Sequence, residues 1–167
     1  DTKILIIGLG VIGGSYAAAL TKAGYRVRCI TKAQADIDYA LARGMIECGT
    51  TEVDPELIGD AELMVFAIYP GAFVEWAENY GHMIRPGTLV TDVTGVKSDI
   101  VPRVQALLPR GVEFIAAHPM AGREKSGVEF SDPAVFHGAN YIVTPTERNT
   151  EEAIDLCCEL GRVLGFY

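Results

Sequence analysis

The sequence lacks any apolar run that approaches the roughly 20 residues of a membrane-spanning helix. Its apolar start at Ile4 has neither the charged leader nor the small-residue cleavage pattern of a signal peptide. We therefore expect a protein without a membrane partner and with a cytoplasmic location.

Cysteine is also scarce, since the 167 residues contain only four, at positions 29, 48, 157 and 158. No two of them form a CxxC pair, and their spacing to the three histidines is not that of a metal site. Reduced thiols in a cytosolic protein, without a bound metal, are the simplest interpretation.

Basic residues are outnumbered, with 14 Lys and Arg against 22 Asp and Glu, which gives a formal net charge of −8. A nucleic-acid partner would require a local run of Lys and Arg, and the sequence has none. A hydrophobic content of 49% is ample for a packed core, and the chain length fits a single domain spanning residues 1–167.

Short apolar segments alternate with amphipathic ones along the whole chain. The predicted strands are residues 3–7, 26–30, 45–49, 63–68, 88–92, 112–117 and 140–144. The predicted helices are residues 15–23, 34–43, 70–84, 96–108 and 150–164, with a helical turn at 54–57 and a loop at 118–132. This alternation predicts an α/β fold with a doubly wound, mostly parallel sheet.

The first predicted strand runs into a glycine-rich turn, GLGVIGG at positions 8–14, which opens the first helix. In this context Gly8 permits a tight turn, Gly10 allows a pyrophosphate to approach the backbone, and Gly13 allows close packing of helix and strand. With Val11 and Ile12 in the turn, and the N-terminus of the helix that follows, these glycines form a predicted dinucleotide site of a Rossmann-type domain. A glycine-rich turn without a ligand is the alternative.

The end of the second predicted strand bears on the choice of cofactor. NAD-selective domains place an acid there, about 20 residues after the glycines, to bind the ribose 2′-hydroxyl. This sequence has Thr31 and Lys32 instead, which suits the 2′-phosphate of NADP. Alternatively, Lys32 is a solvated surface residue and the cofactor is NAD.

Four ordered motifs carry a family resemblance: GLGVIGGS at 8–15, TDVTGVK at 91–97, HPMAG followed by REKSG at 118–127, and YIVTP at 141–145. They resemble the prephenate/arogenate dehydrogenase family of tyrosine biosynthesis, and the resemblance extends from Lys3 to about Tyr167. It implies an NAD(P)-dependent oxidative decarboxylation of prephenate or arogenate. Hydride leaves the ring carbon that carries the hydroxyl, and loss of carbon dioxide aromatises the ring.

The resemblance also implies a catalytic role for His118. Histidine changes its charge near neutral pH, so its imidazole is suited to accept the substrate hydroxyl's proton as hydride departs. The family usually has a serine where this chain has Gly95, and Thr94 is a candidate to supply the missing hydroxyl. Asp92 is expected to shape the cofactor loop by accepting hydrogen bonds. Lys97 is expected to orient Asp92 or support the loop; alternatively, it is a surface lysine at the start of a helix.

Other family positions fall in the loops after the fourth and sixth strands. Tyr69 and Pro70 resemble the turn that lies against the cofactor's ribose and nicotinamide. Arg123 and Glu124 are candidates for substrate contact. Arg123 or Lys125 is suited to bind the substrate carboxylates, although a mixed-charge loop is often simply solvated.

The family places an all-helical domain after the Rossmann domain, which supplies dimerisation and several substrate contacts. We therefore expect residues 1–167 to be the cofactor domain of a homodimeric enzyme, able to bind dinucleotide but inactive on prephenate alone. Two other functions stay open: a different NAD(P)-dependent hydroxyacid dehydrogenase, and a non-catalytic dinucleotide-sensing module. The choice between prephenate and arogenate is also open.

Overall fold

The computed structural model describes residues 2–93, 100–119, 131, 141–146 and 148–165. Within them, the chain forms a sheet in the order β3-β2-β1-β4-β5-β6-β7. The strands are β1 (Lys3–Ile7), β2 (Arg26–Ile30), β3 (Cys48–Thr50), β4 (Leu63–Phe66), β5 (Leu89–Asp92), β6 (Glu113–Pro119) and β7 (Tyr141–Thr144). Neighbouring strands from β3 to β6 are parallel, and β7 runs antiparallel to β6 at the sheet edge.

Helices cover both faces of this sheet. They are α1 (Val11–Lys22), α2 (Gln34–Ala42), α3 (Pro55–Asp60), α4 (Pro70–Tyr80), α5 (Ile100–Leu107) and α6 (Glu151–Leu164), and a 3₁₀ turn, Gly81–Met83, follows α4. One core cluster packs residues of α1, α2 and α6 against one face, and a second packs α3, α4 and α5 against the other. The predicted doubly wound Rossmann-type fold is confirmed.

The parallel strands are apolar along their length because both of their faces are buried. On the α4 side, the ring of Phe66 at the end of β4 stacks on Phe73 with centroids 4.3 Å apart. Trp76 meets the Phe66 ring edge-on at 4.9 Å, and Phe114 of β6 meets Phe73 at 5.2 Å. This aromatic cluster fixes α4 against the sheet and so fixes the turn between β4 and α4.

Several predicted boundaries along the chain were wrong, among them the end of β4, which is Phe66 instead of residue 68. Helix α1 begins at Val11, four residues before the predicted start at Ser15, because the glycines of the turn already form its first turn. Strand β3 lies at Cys48–Thr50 instead of 45–49, since Met45 and Ile46 are buried ahead of the strand and are not part of it. Helix α4 ends at Tyr80, and the 3₁₀ turn takes up the remainder of the predicted helix.

The sixth strand also extends further than predicted. His118, expected at the start of a loop, lies inside β6, where it pairs with Ile142 of β7. The apolar run ends at Ala117, so its pattern gave no signal for the two further residues that the antiparallel partner adds to the strand. No helix among the described residues is long and apolar enough to span a membrane.

Candidate active site

The strand order reverses between β1 and β4, because the chain runs outward from β1 to β3 and then returns to the other side of β1. In such a sheet, ligands bind outside the carboxyl ends of the strands at this point of reversal. The structure places five predicted site residues at or just beyond these strand ends: Gly8, Thr31, Tyr69, Asp92 and His118.

Two of the turn glycines are required by close packing. Gly8 has φ +95°, and a Cβ there would lie 2.6 Å from the carbonyl oxygen of Ala67. A Cβ on Gly13 would collide with the carbonyl oxygen of Gly8 and lie 3.1 Å from the Cβ of Ala67. Strand β1, helix α1 and the end of β4 therefore approach one another more closely than any side chain would allow.

Gly10 differs from both neighbours because its surroundings are open. It is the N-cap of α1, with φ −97° and no side-chain cap. No atom of the described residues lies within 4 Å of where its Cβ would be. The first turn of α1 contains no acidic residue. A helix N-terminus presents free N–H groups and a positive dipole end, so the residues present here fit the phosphates of a dinucleotide.

Thr31 is joined to the glycine turn by a hydrogen bond. The backbone N–H of Leu9 donates to Thr31 Oγ1 over 3.2 Å. The Thr31 N–H donates to the carbonyl of Thr50 over 3.1 Å, which anchors the end of β2 to β3. Thr31 is half-buried and Lys32 is exposed. A hydroxyl and an ammonium group, without a carboxylate, thus stand where an NAD-selective domain has its acid.

The turn after β4 presents an aromatic ring at this edge. Tyr69 is 84% exposed and is the N-cap residue of α4, with Pro70 in the first helical position. The carbonyl of Tyr69 accepts a hydrogen bond from the N–H of Phe73 over 2.9 Å. The backbone of Tyr69 is therefore fixed while its ring stays accessible to a ligand.

Asp92, at the end of β5, is fully buried, and its Oδ1 accepts a hydrogen bond from the backbone N–H of Ala117 over 3.1 Å. The ladder between β5 and β6 ends two residues earlier in β6, at the pair Thr91 and Ile115. The Asp92 carboxylate therefore bonds to β6 just beyond the last backbone pair between the two strands. It holds the part of β6 that carries His118.

His118 lies on the same face of β6 as Phe114 and Ala116, which belong to the core cluster of the α4 and α5 side. Its side chain is half-buried, and the buried Nδ1 has no hydrogen-bond partner among the described residues. An unpaired buried polar atom costs about 1–3 kcal/mol, so such atoms are uncommon and are candidates for function. His118 thus has one ring nitrogen that no described residue engages, at the sheet edge that carries the glycine turn.

Four predicted site residues lie outside the described residues: Thr94, Lys97, Arg123 and Glu124. Their roles stay predictions. In the described ranges, no group of three or more His, Cys, Asp and Glu side chains is placed to hold a metal ion.

Ser131 belongs to none of the sequence motifs described above. Its Oγ lies 3.2 Å from the carbonyl oxygens of both Gly10 and Val11, in the first turn of α1. The contact joins positions 121 and 120 residues apart, and no motif or periodicity could have indicated it.

A charged network lies toward the opposite, amino-terminal edge of the sheet. The Arg28 guanidinium is almost buried and forms ion pairs with Glu47 at 2.7 Å and Asp60 at 3.1 Å. Hydrogen bonds from Arg26 and Arg28 lower the pKa of Glu47, and those from Lys3 and Arg28 lower the pKa of Asp60. This network joins β1, β2 and α3 and is distant from the strand ends that carry the candidate site.

Residues 16–165 match the family model described as the nucleotide-binding domain of prephenate dehydrogenase. The chain belongs to the prephenate dehydrogenase family. It is 32% identical over 157 residues to the prephenate dehydrogenase of Bacillus subtilis (strain 168), which aligns 91% of this chain with 42% of that protein. It is also 32% identical over 155 residues to the prephenate dehydrogenase of Lactococcus lactis, with 91% of this chain aligned to 43% of that protein.

Solved structures of the family share the fold. The arogenate dehydrogenase of Synechocystis matches 99% of this chain with a TM-score of 0.89 and 26% identity. The A. aeolicus prephenate dehydrogenase in complex with hydroxyphenyl propionate and NAD⁺ matches 100% of this chain with a TM-score of 0.89 and 27% identity. The chain spans 58% of each of these structures and less than half the length of the two curated relatives. The predicted family and its nucleotide-binding domain are confirmed.

Proposed function

We propose that this chain is the cofactor domain of an NAD(P)-dependent prephenate or arogenate dehydrogenase of tyrosine biosynthesis. The observation that carries the proposal is the position of His118. Its unpaired, buried Nδ1 lies on a strand whose carboxyl end is at the same sheet edge as the glycine turn. A proton acceptor and a dinucleotide site at one edge are what the oxidation of an alcohol requires.

In the proposed reaction, the dinucleotide supplies the hydride acceptor. His118 accepts the proton of the substrate hydroxyl while hydride leaves the carbon that carries it. The carboxylate on the opposite ring carbon leaves as carbon dioxide, and its bonding electrons complete the aromatic ring. The hydrogen bond from Ala117 N–H to Asp92 holds the strand on which His118 must stay in place during this transfer.

The cofactor would be held by the three glycines Gly8, Gly10 and Gly13, by the first-turn N–H groups of Val11 and Ile12, and by the side chains of Thr31, Lys32, Tyr69, Pro70, Asp92 and Lys97. Thr94 stays our candidate for the hydroxyl beside the histidine. Arg123 and Glu124 stay our candidates for substrate contact. The structure of the A. aeolicus relative with NAD⁺ and hydroxyphenyl propionate supports a small-molecule substrate beside the dinucleotide.

The experiment that tests this function replaces His118 by asparagine, which keeps a polar side chain of similar size, in the full-length protein that contains this chain. General base catalysis contributes about 10²–10⁴-fold, so kcat with prephenate or arogenate should fall by at least about 100-fold. The Kd for NAD⁺ should stay within about twofold of the wild type, because the imidazole is not proposed to hold the cofactor. Near wild-type turnover of H118N would refute the role.

We further propose that the cofactor preferred is NADP. Support comes from Thr31, whose hydroxyl accepts a hydrogen bond from the Leu9 N–H where NAD-selective domains have their acid, and from the exposed Lys32 beside it. The change K32A should weaken NADPH binding several-fold and leave NADH binding unchanged, because only NADPH has a 2′-phosphate. K22A, at the other end of α1, is the matched control for loss of an exposed lysine. If the ratio of the dissociation constants for NADPH and NADH were the same in K32A as in the wild type, the NADP preference would be contradicted.

We also propose that a second domain completes the enzyme, that the full-length protein is a homodimer, and that residues 1–167 alone are inactive on prephenate. The chain's coverage of less than half of its curated relatives supports the first of these. We also propose a cytoplasmic location, where thiols stay reduced; among the described residues, which include all four cysteines, no disulfide bond forms.

A further inference from the structure

Ser131 contacts the part of the glycine turn that is proposed to bind the pyrophosphate. Its Oγ lies 3.2 Å from the carbonyl oxygen of Gly10 and 3.2 Å from that of Val11, a shared geometry for one hydroxyl donor. Neither the motifs nor the family resemblance assigned this residue a role.

The two carbonyls belong to peptide units whose N–H groups are proposed to bind the anionic pyrophosphate. The Gly10 carbonyl shares its peptide unit with the N–H of Val11, and the Val11 carbonyl shares its unit with the N–H of Ile12. These N–H groups lie at the open N-terminus of α1, which has no side-chain cap. Ser131 therefore donates to the carbonyl ends of the peptide units whose N–H ends would meet the phosphates.

Both carbonyls already accept hydrogen bonds from within the helix. The Gly14 N–H donates to the Gly10 carbonyl over 2.8 Å, and Ser15 Oγ donates to the Val11 carbonyl over 2.6 Å. Ser131 adds a donor from outside the helix. A further donor at the carbonyl polarises the peptide unit, which makes its N–H a stronger donor. It also fixes the orientation of the first turn relative to the strand ends.

We propose that Ser131 is a positioning residue for the dinucleotide, acting through the Gly10–Val11 and Val11–Ile12 peptide units on the pyrophosphate. This inference rests on the proposed dinucleotide site and extends it. Losing this donor should raise the Kd for NAD⁺ about three- to tenfold, which corresponds to about 0.6–1.4 kcal/mol and is the size of one net hydrogen bond.

The test compares NAD⁺ and ADP-ribose binding by calorimetry to this chain and its variants. S131A should weaken both ligands by the same factor, because both contain the pyrophosphate and only NAD⁺ contains nicotinamide. S131T, which keeps the hydroxyl, should bind both ligands with the affinity of the wild type. S131C, of similar size but with a weak donor, should weaken binding as S131A does and provides a second variant should S131A fold poorly.

T21A is the matched control. Thr21 Oγ1 donates to the backbone carbonyl of Met45 over 2.7 Å from the far end of the same helix. Loss of the Thr21 hydroxyl should lower the melting temperature and leave the dissociation constants for NAD⁺ and ADP-ribose unchanged.

Affinity of S131A and S131C within twofold of the wild type, for both ligands, would overturn the inference and leave the proposed function standing. A loss confined to NAD⁺ would also overturn it, because the residue would then act on the nicotinamide end. Wild-type protein that binds neither ligand would overturn the inference and the proposed cofactor domain together.

Discussion

Gly13 and Gly10 are expected to have different roles in the turn. Replacing Gly13 by alanine should mainly lower the stability of the fold, and replacing Gly10 by alanine should mainly weaken dinucleotide binding. In G13A the new methyl collides with the Gly8 carbonyl oxygen, a backbone atom that cannot rotate away. Overpacking costs about 1–3 kcal/mol, and we expect the upper part of this range, about 2–3 kcal/mol. At about 2–4 °C per kcal/mol for a chain of this size, the melting temperature should fall by about 5–10 °C.

In G10A the methyl meets no atom of the described residues, and φ −97° is allowed for alanine. Its cost is limited to the poorer N-cap, about 1 kcal/mol, or about 2–4 °C. The methyl does, however, project where the pyrophosphate is proposed to approach. Loss of a hydrogen bond to a charged group costs about 1.5–3 kcal/mol, so the Kd for NAD⁺ should rise at least about tenfold.

The assays are scanning fluorimetry without ligand and calorimetric titration with NAD⁺, on wild type and both variants. Wild-type affinity in G10A would refute the placement of the pyrophosphate at Gly10. A melting temperature of G13A equal to that of the wild type would refute the close packing of α1 on β1.

The remaining predictions concern cysteine reactivity and acid stability. Burial, with smaller contributions from Cys48 and Asp36, raises the pKa of the Cys29 thiol to about 12, so iodoacetamide at pH 8 should label exposed Cys48 well before Cys29 in the folded chain. Rapid native-state labelling of Cys29 by mass spectrometry would contradict this. The lowered pKa values of Glu47 and Asp60 stabilise the fold above the ordinary carboxyl pKa of about 4, and this contribution is lost as pH falls through the lowered values. The difference in free energy of unfolding between wild type and R28M should therefore shrink from pH 6 to pH 2.5 in urea titrations, and a constant difference would contradict the network.

Much of the fold could be predicted from the sequence because its determinants are local. A continuous apolar run such as 63–68 is typical of a parallel strand buried on both faces, and the structure has β4 over the first four of these residues, Leu63–Phe66. The glycine turn was recognisable because its spacing reflects contacts between residues that are near in sequence, such as Gly13 against Gly8. Local patterns of this kind determine which elements form.

Contacts between distant segments could not be predicted in the same way. The extension of β6 through His118 depends on pairing with Ile142, and the carboxylate of Asp92 meets Ala117 only because β5 and β6 are neighbours in the sheet. The hydroxyl of Ser131 reaches α1 from 121 residues away. Each contact depends on tertiary packing, which has no periodicity in the sequence to reveal it.

The proposed enzyme is tested most directly by one activity measurement on the full-length protein. Prephenate and arogenate are each combined with NAD⁺ and NADP⁺, and formation of reduced cofactor is followed at 340 nm. The proposed function predicts oxidation of at least one of the two substrates, faster with NADP⁺, and no turnover by residues 1–167 alone. Dinucleotide binding without oxidation of either substrate would contradict the dehydrogenase and would favour a dinucleotide-sensing module.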